Sequence, residues 1–227
     1  MPRRRLLQQS AGALGVAAIL RPTAALATGL LALASVVLAP SAVAAPGDLD
    51  PSFGAGGIVR TFMAASAEAH AVALQPDGKI AVGGRHRGFA VARYLSNGSL
   101  DPSFGSGGIV ETVIGDFGER VTALTLGSDG SIVIAGYEPG AFVKVFVLAR
   151  YLSDGTLDPS FGDGGVVRTP ISSTRAEPNA LALLPDGRIV AGGLSDVSGP
   201  PYDVFTLARY LGDGSLDSSF RVRAGSF

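Results

Sequence analysis

The chain offers few side chains that could do chemistry, because its 227 residues include two histidines and no cysteine. His70 and His86 could hold a metal only with further ligands, and no third ligand stands at a matching spacing. His86 lies between Arg85 and Arg87, so we predict a small basic loop in which His86 is solvated. The lack of cysteine excludes disulfides and thiolate metal sites. We therefore predict that the protein carries neither a metal nor a cofactor.

Acidic residues outside any repeated motif are the other raw material for catalysis. A hydrolase or lyase acting on a glycan would need two of them to face each other about 5–10 Å apart. A single sequence does not show which of them meet, and it identifies no catalytic residue. The acids in question are Glu68, Glu111, Asp116, Glu119, Glu138, Glu177, Asp196 and Asp203.

An arginine and an aspartate recur eight residues apart in each copy of a repeated motif. A catalytic group is needed once per protein, so we expect these recurring pairs to form ion pairs or to cap turns. The pairs are Arg93 with Asp101, Arg150 with Asp158, and Arg209 with Asp217.

Glycine-rich segments at residues 53–57, 104–108 and 161–165 lack the Lys-Ser/Thr end of a phosphate-binding loop, and no helix follows them. Their glycines are expected to supply tight backbone joints with positive φ. The phenylalanine at the head of each segment is predicted to be a core plug between neighbouring units. These residues are Phe53, Phe104, Phe161 and, in a fourth copy, Phe220.

The elements that must position these residues are repeats. The string LDPSFG begins at Leu49, Leu100 and Leu157, and an altered copy, LDSSF, begins at Leu216. An Asp-Gly turn and an Ala-Arg-Tyr block follow at near-fixed offsets. We assign a short leader at residues 45–48, units at 49–99, 100–156 and 157–215, and the broken start of a fourth unit at 216–227. Periods near this length indicate stacked or radially arranged units.

Each unit reads as four short strands. In the second unit these are Gly108–Thr112, Val121–Leu126, Ser131–Ala135 and Val143–Leu152, with Asp129-Gly130 between the middle two. An Asp-Gly pair between two apolar runs is a strong hairpin signal. A four-stranded sheet without a partner layer must pack against its neighbours, as the blades of a propeller do. We predict an all-β fold of repeated four-stranded antiparallel units, forming a partial or oligomer-completed β-propeller.

The motifs LDPSFGxGG, (P)DG(K/R/S)I and (A)RYLxDG(S/T)LD resemble the delta-60 repeat family of bacterial secreted and surface proteins. The resemblance covers residues 49–220. It implies propeller-like blades in an exported bacterial protein, and it supplies no catalytic residues.

Length differences between the units fall mainly into one loop per unit: Arg85–Gly88, Tyr137–Phe142 and Leu194–Asp203. The segments between the first two strands of each unit also vary, and both sets are predicted to share one rim opposite the Asp-Gly turns. Insertions in repeats commonly mark a binding face, although unconstrained drift of surface loops would give the same pattern. The candidate contact residues are Arg85, His86, Arg87, Tyr137, Glu138, Asp196, Tyr202 and Asp203.

Residues 1–44 have the pattern of an export signal, with a positive head at Arg3–Arg5, an apolar stretch at Thr28–Leu38 and a cleavage pattern at Ala42–Ala44. The head fits a twin-arginine or a Sec signal equally. A membrane anchor is the alternative, but the stretch is shorter than the roughly 20 residues of a span, and Pro22 and Pro40 flank it. We expect a periplasmic, extracellular or cell-surface protein that does not associate with the membrane once the signal is removed.

The part after the signal carries 14 basic and 19 acidic groups, a net charge of −5. Nucleic acid is therefore not an expected partner, because phosphate contacts need clustered cations. Three units are fewer than the four to eight blades of typical propellers. We expect either a truncated or frame-shifted array or a homo-oligomer that completes the ring.

The sequence thus favours an exported, non-catalytic scaffold or binding protein whose ligand is a protein or a glycan. The alternative is a hydrolase or lyase of propeller fold that acts on a glycan.

Overall fold

The computed structural model of the chain describes residues 45–115, 119–138, 144–172, 175–196 and 203–220. The predicted export signal, Asp116, Tyr202 and residues 221–227 lie outside the described residues. Regular structure in these ranges consists of strands alone, and the all-β prediction is confirmed. None of the described residues belongs to a helix able to cross a membrane. The strands are β1 (Glu68–Leu74), β2 (Ile80–Arg85), β3 (Phe89–Tyr94), β4 (Ile109–Thr112), β5 (Arg120–Leu126), β6 (Ile132–Tyr137), β7 (Lys144–Tyr151), β8 (Val166–Ser172), β9 (Ala176–Leu183), β10 (Ile189–Asp196) and β11 (Asp203–Tyr210).

The strands form three antiparallel sheets in chain order. Sheet 1 is β1-β2-β3-β4, sheet 2 is β5-β6-β7-β8, and sheet 3 is β9-β10-β11. The sheets formed by the described residues do not close into a ring. Within the described residues, sheet 3 has three strands, so β11 is an open edge.

The strand grouping predicted from the repeats is wrong at the repeat boundary. The predicted strand 108–112 is expected to begin the sheet of the second unit, but its residues 109–112 form the outer strand of sheet 1, with Ile109 opposite Ala92 and Thr112 opposite Phe89. The segment between β3 and β4 is hydrogen-bonded to the end of β3. The N–H of Arg93 donates to the Gly108 carbonyl at 2.8 Å. The next strand must therefore return beside β3, and each of the first two sheets straddles a repeat boundary.

The Asp-Gly turns form as predicted, but they join the first and second strands of each sheet and not the middle two. In sheet 2 the N–H of Gly130 donates to the Gly127 carbonyl at 3.1 Å, and Gly130 has φ of 83°. A residue with a Cβ pays a steric cost at this φ. The Asp129 carboxylate caps the turn by accepting hydrogen bonds from the backbone N–H and the hydroxyl of Ser131.

The cores lie between the sheets. Phe89 and Val91 of sheet 1 pack with Ile132 and Ile134 of sheet 2. In the same way, side chains of β7 pack on the face of sheet 3. The plug prediction is confirmed for the fully buried Phe104, which joins the first of these cores. Phe161 is also fully buried and joins the second core. The first and last copies, Phe53 and Phe220, are only partly buried. Burying one such ring contributes about 1.5–3 kcal/mol relative to leaving it exposed.

The recurring arginine–aspartate pairs are ion pairs, as predicted. Arg93 Nε donates to Asp101 Oδ2 at 2.8 Å, and the guanidinium lies over the Phe104 ring at 4.5 Å. Arg93 also donates to the backbone carbonyl of Ser153, which belongs to the next sheet's turn. The residue that begins as a repeat marker therefore joins sheet 1 to sheet 2. Arg150 makes the equivalent contacts with Asp158, Phe161 and the Gly212 carbonyl.

Candidate functional site

Successive connections in an antiparallel sheet lie at opposite ends of its strands, and we call each of these two ends of a sheet an edge here. The Asp-Gly turns and the Ala-Arg-Tyr-to-LDPSF connections leave from one edge, which we call the framework edge. The connections between β2 and β3, β6 and β7, and β10 and β11 leave from the other edge, together with those between sheets. We call this second edge the variable rim. Every described candidate contact residue lies at the variable rim.

The sheet 1 part of the variable rim holds the three basic candidates. Arg85 ends β2 and forms an ion pair with Glu68, with Nη2 and Oε1 3.3 Å apart. His86 and Arg87 form the turn to β3. Arg87 is exposed and makes no hydrogen bond or ion pair with any residue that the structure describes. Its guanidinium is therefore available to a ligand.

His86 is not the solvated residue that the sequence predicts. Its side chain is 3% exposed, and Nδ1 lies 2.8 Å from Oε1 of Glu111 on β4. The orientation of the two groups makes no hydrogen bond, and neither ring nitrogen has a hydrogen-bond partner among the described residues. The cause is non-local, because β4 comes from the following repeat and closes over the turn. His86, Arg87 and Glu111 line an open cleft of about 480 Å³ with Phe62 and Met63.

The sheet 2 part of the variable rim brings two carboxylates together. Glu138 follows Tyr137 at the end of β6, and Glu119 precedes β5; both are buried. A Cβ built on Gly115 would touch Oε1 of each, so the two carboxylates converge on that glycine. The Gly115 N–H donates to Glu119, and Arg168 on β8 forms an ion pair with Glu138. Oε2 of Glu119 has no hydrogen-bond partner in the described part of the chain.

The sheet 3 part of the variable rim is organised by Arg175, which sequence reasoning did not single out. Its guanidinium contacts Glu177 at 3.1 Å and Asp203 at 3.0 Å, and its backbone N–H donates to Asp196 at 3.1 Å. The Ser172 hydroxyl and this N–H hold the pKa of Asp196 below its ordinary value. Asp196 and Asp203 are register partners across β10 and β11. Arg175 is the only basic residue in the variable segment 171–178. This lone positive charge is the sequence feature that could have identified it.

The non-repeated acids fall into separate groups on the three sheets. Among the described ones, Glu119 and Glu138 meet each other, whereas the rest face basic or hydroxyl partners. No group of three or more potential metal-ligating side chains occurs among the described residues. The described candidates also line different cavities, because Arg85, the His86–Arg87 turn and Asp203 each border a separate one.

A family model described as a domain of unknown function (DUF5122) beta-propeller matches residues 75–104, 127–161 and 184–220. Each match begins near an Asp-Gly turn and ends at the phenylalanine of an LDPSF or LDSSF motif. No curated protein matches the chain. The sheets and the three matches define a β-propeller repeat protein. In particular, its repeats are similar to those of the DUF5122 propeller, whose function is unknown.

Proposed function

We propose that this chain is an exported, non-catalytic propeller-type module of the delta-60 kind that binds a protein or a glycan through its variable rim. The observation that carries the proposal is the guanidinium of Arg87, which has no partner among the described residues, whereas Arg85 and Arg175 of the variable rim form ion pairs. At the framework edge, the guanidinium groups of Arg93 and Arg150 donate hydrogen bonds to aspartate, serine and carbonyl oxygens of the fold. At the variable rim, Arg87 has no described partner.

The cleft beside Arg87 supports the same reading. Its lining includes Arg87, which has no partner among the described residues, the His86 ring beside the Glu111 carboxylate, and the apolar side chains of Phe62 and Met63. Binding sites commonly join apolar walls with a few convergent polar groups. A glycan with carboxylate and hydroxyl groups fits this lining, as does an extended peptide with an acidic residue.

The test uses a panel of purified cell-wall and environmental polysaccharides, with binding measured by calorimetry. Arg87→Ala is expected to weaken binding at least tenfold, because a charge-assisted hydrogen bond in a cleft contributes about 1.5–3 kcal/mol. Arg188→Ala is the matched control, since Arg188 is a partly exposed arginine at the framework edge. Equal loss in both variants, or an unchanged affinity in Arg87→Ala, contradicts binding at the variable rim.

Export rests on the pattern of residues 1–44. We propose that the signal is removed after Ala44 and that the mature chain begins at Ala45. Intact-mass measurement of the protein recovered outside the cytoplasm tests this directly. A chain that keeps residues 1–44, or one that stays in the cytoplasm, refutes the proposal.

A glycan hydrolase or lyase is the second candidate, and the convergence of Glu119 and Glu138 favours it. Paired carboxylates are the machinery of most glycoside hydrolases. The backbone N–H of Gly115 and the guanidinium of Arg168 occupy these carboxylates, however, which fits a capping role for the pair. The same polysaccharides should therefore yield no new reducing ends. Reducing ends that appear with the native chain and vanish in Glu138→Gln would establish the enzyme instead.

A further inference from the structure

The first copy of the LDPSF motif has no covering arginine among the described residues. We call the aspartate and phenylalanine of each copy the plug, and the site under the covering arginine the socket. In the later copies the aspartate and phenylalanine lie under an arginine of the preceding strand, as Asp101 and Phe104 lie under Arg93. The first copy is folded in the same way, since Ser52 donates from its N–H and hydroxyl to Asp50 Oδ1 at 2.9 and 2.6 Å. No arginine among the described residues forms an ion pair with Asp50 or a cation–π contact with Phe53.

The segment after this plug has the sequence and position of an outer strand. Residues 57–61 (GIVRT) correspond to residues 108–112 (GIVET), which contain β4, and to residues 165–169 (GVVRT), which contain the start of β8. The Thr61 hydroxyl lies 2.6 Å from the Tyr94 hydroxyl, as that of Thr112 lies 2.8 Å from that of Tyr151. Residues 58–62, however, pair with no strand in the described structure, and Phe62 is 90% exposed.

Sheet 3 presents the complementary open edge, because no described strand lies outside β11. Phe205 and Leu207 on β11 are 103% and 57% exposed, whereas Phe146 and Leu148 at the same positions of β7 are fully buried. The following sheet buries the β7 side chains, which share a core with Ile189 and Ala191 of sheet 3. Exposed apolar side chains on an open strand edge mark an interaction surface.

Sheet 1 carries the face that would receive these side chains. Ile80 and Val82 on β2 occupy the positions that Ile132 and Ile134 hold on β6, where they pack against Phe89 and Val91. Both are half-buried in the chain. Val82 lines an open groove of about 230 Å³. The two ends of the array therefore expose the two halves of an interface that the chain already uses twice within itself.

We propose that a second copy of this chain docks head to tail, with residues 50–62 of one copy completing sheet 3 of the other. The register follows from the pairing of β7 with β8, where Phe146 lies opposite Thr169 and Ala149 opposite Val166. Transferred to the open edge, it places Phe205 opposite Thr61, Thr206 opposite Arg60, Leu207 opposite Val59 and Ala208 opposite Ile58. Phe205 and Leu207 then pack on Ile80 and Val82 of the incoming copy. Such a contact is heterologous and builds rings or filaments.

Asp50 and Phe53 of the incoming copy must displace Asp217 and Phe220 of the receiving copy. Asp217 and Phe220 already occupy the socket under Arg209, with Nε and Oδ2 2.8 Å apart. The exchange replaces these contacts with equivalent ones from Asp50 and Phe53. It also adds a strand and buries two apolar side chains, so the exchanged state is favoured at high chain concentration.

The chain has no cysteine, so a disulfide between two single-cysteine variants reports the register. Arg60→Cys and Thr206→Cys are purified separately, mixed and oxidised. The proposal expects a cross-linked pair in the mixture and little in either variant alone. Cross-linking of Thr206→Cys with itself would mean that two β11 edges pair with each other, which overturns the proposal. Absence of any cross-link overturns it as well.

Sedimentation velocity of the purified chain across a hundredfold concentration range gives the second readout. The mean mass is expected to rise to at least twice the single-chain value, and Phe205→Asp should keep the chain monomeric. Val113→Asp is the control, because Val113 is also exposed but follows β4, away from both open faces. A monomer at every concentration, or equal loss of assembly in both variants, refutes head-to-tail docking. Both readouts are independent of any ligand at the variable rim.

Discussion

Replacing Arg93 with methionine should destabilise the fold far more than the same change at Arg209. Both arginines pair with the aspartate eight residues later and lie over a phenylalanine. Arg93 is 4% exposed and also donates to the Ser153 carbonyl of sheet 2. Arg209 has no such acceptor among the described residues. The difference between the two variants therefore reflects both the deeper burial of the Arg93–Asp101 pair and its hydrogen bond to the neighbouring sheet.

The magnitude follows from what each variant leaves behind. Arg93→Met leaves the buried Asp101 carboxylate without its arginine, and breaking a buried pair by removing one partner costs about 3–5 kcal/mol. Lys79 lies 3.5 Å from Asp101 and offsets part of this cost, so we expect about 3 kcal/mol. Asp217 is also buried, but Arg209 is 20% exposed and Arg188 lies 3.9 Å from Asp217, so Arg209→Met should cost only about 1 kcal/mol.

Urea unfolding followed by far-ultraviolet circular dichroism gives both free energies of unfolding. The double variant Arg93→Met/Asp101→Asn should be no less stable than Arg93→Met alone. Asparagine removes the stranded charge, and its side-chain oxygen still accepts the hydrogen bonds of Ser103. A cost below about 1 kcal/mol for Arg93→Met, or an equal cost at Arg209, would refute the reasoning.

Three further outcomes are expected. Burial alone would raise the pKa of Asp101, but hydrogen bonds from Ser103 and the charge of Arg93 outweigh it and lower the pKa to about 2. Its stabilising contribution is therefore complete above about pH 4 and lost as the pH falls through about 2, and urea midpoints of Asp101→Asn should fall less over this range. Gly136→Ala should cost several kcal/mol by urea unfolding, because its Cβ would collide with the Arg120 carbonyl and the Phe89 ring. Gly164→Ala has open space and should cost only about 1–2 kcal/mol; equal costs would contradict this. Burial raises the pKa of Tyr151 to about 12, so Tyr151→Phe should remove ultraviolet absorbance from the latest phase of an alkaline titration; an unchanged late phase would contradict this.

Local features were predictable because they depend on residues that are close in the chain. The Asp-Gly turns need backbone with positive φ, and glycine at residues 78, 130 and 187 provides it. The pairing of Arg93 with Asp101 spans eight residues of a tight connection. The all-β class and the propeller-type repeats followed from the same motifs.

The candidate site was harder to predict, because strand partners at the variable rim are chosen by distant segments. His86 looked solvated in its loop, but β4 from the next repeat covers it with Glu111. Glu119 and Glu138 lie at the ends of different strands, and no spacing rule brings their carboxylates to Gly115. Arg175 organises acids from three different strands or turns around itself.

The sequence alone therefore determined the strands, the turns and the repeated ion pairs, since alternating side chains and turn residues act over a few positions. Only the tertiary structure decided which sheet each strand joins. Residues 109–112 belong to one repeat by sequence and to the preceding sheet by hydrogen bonding, because the backbone tie from Arg93 to Gly108 folds the chain back before the new sheet begins. The same offset between repeats and sheets leaves residues 58–62 outside the three sheets and leaves β11 without an outer neighbour among the described residues.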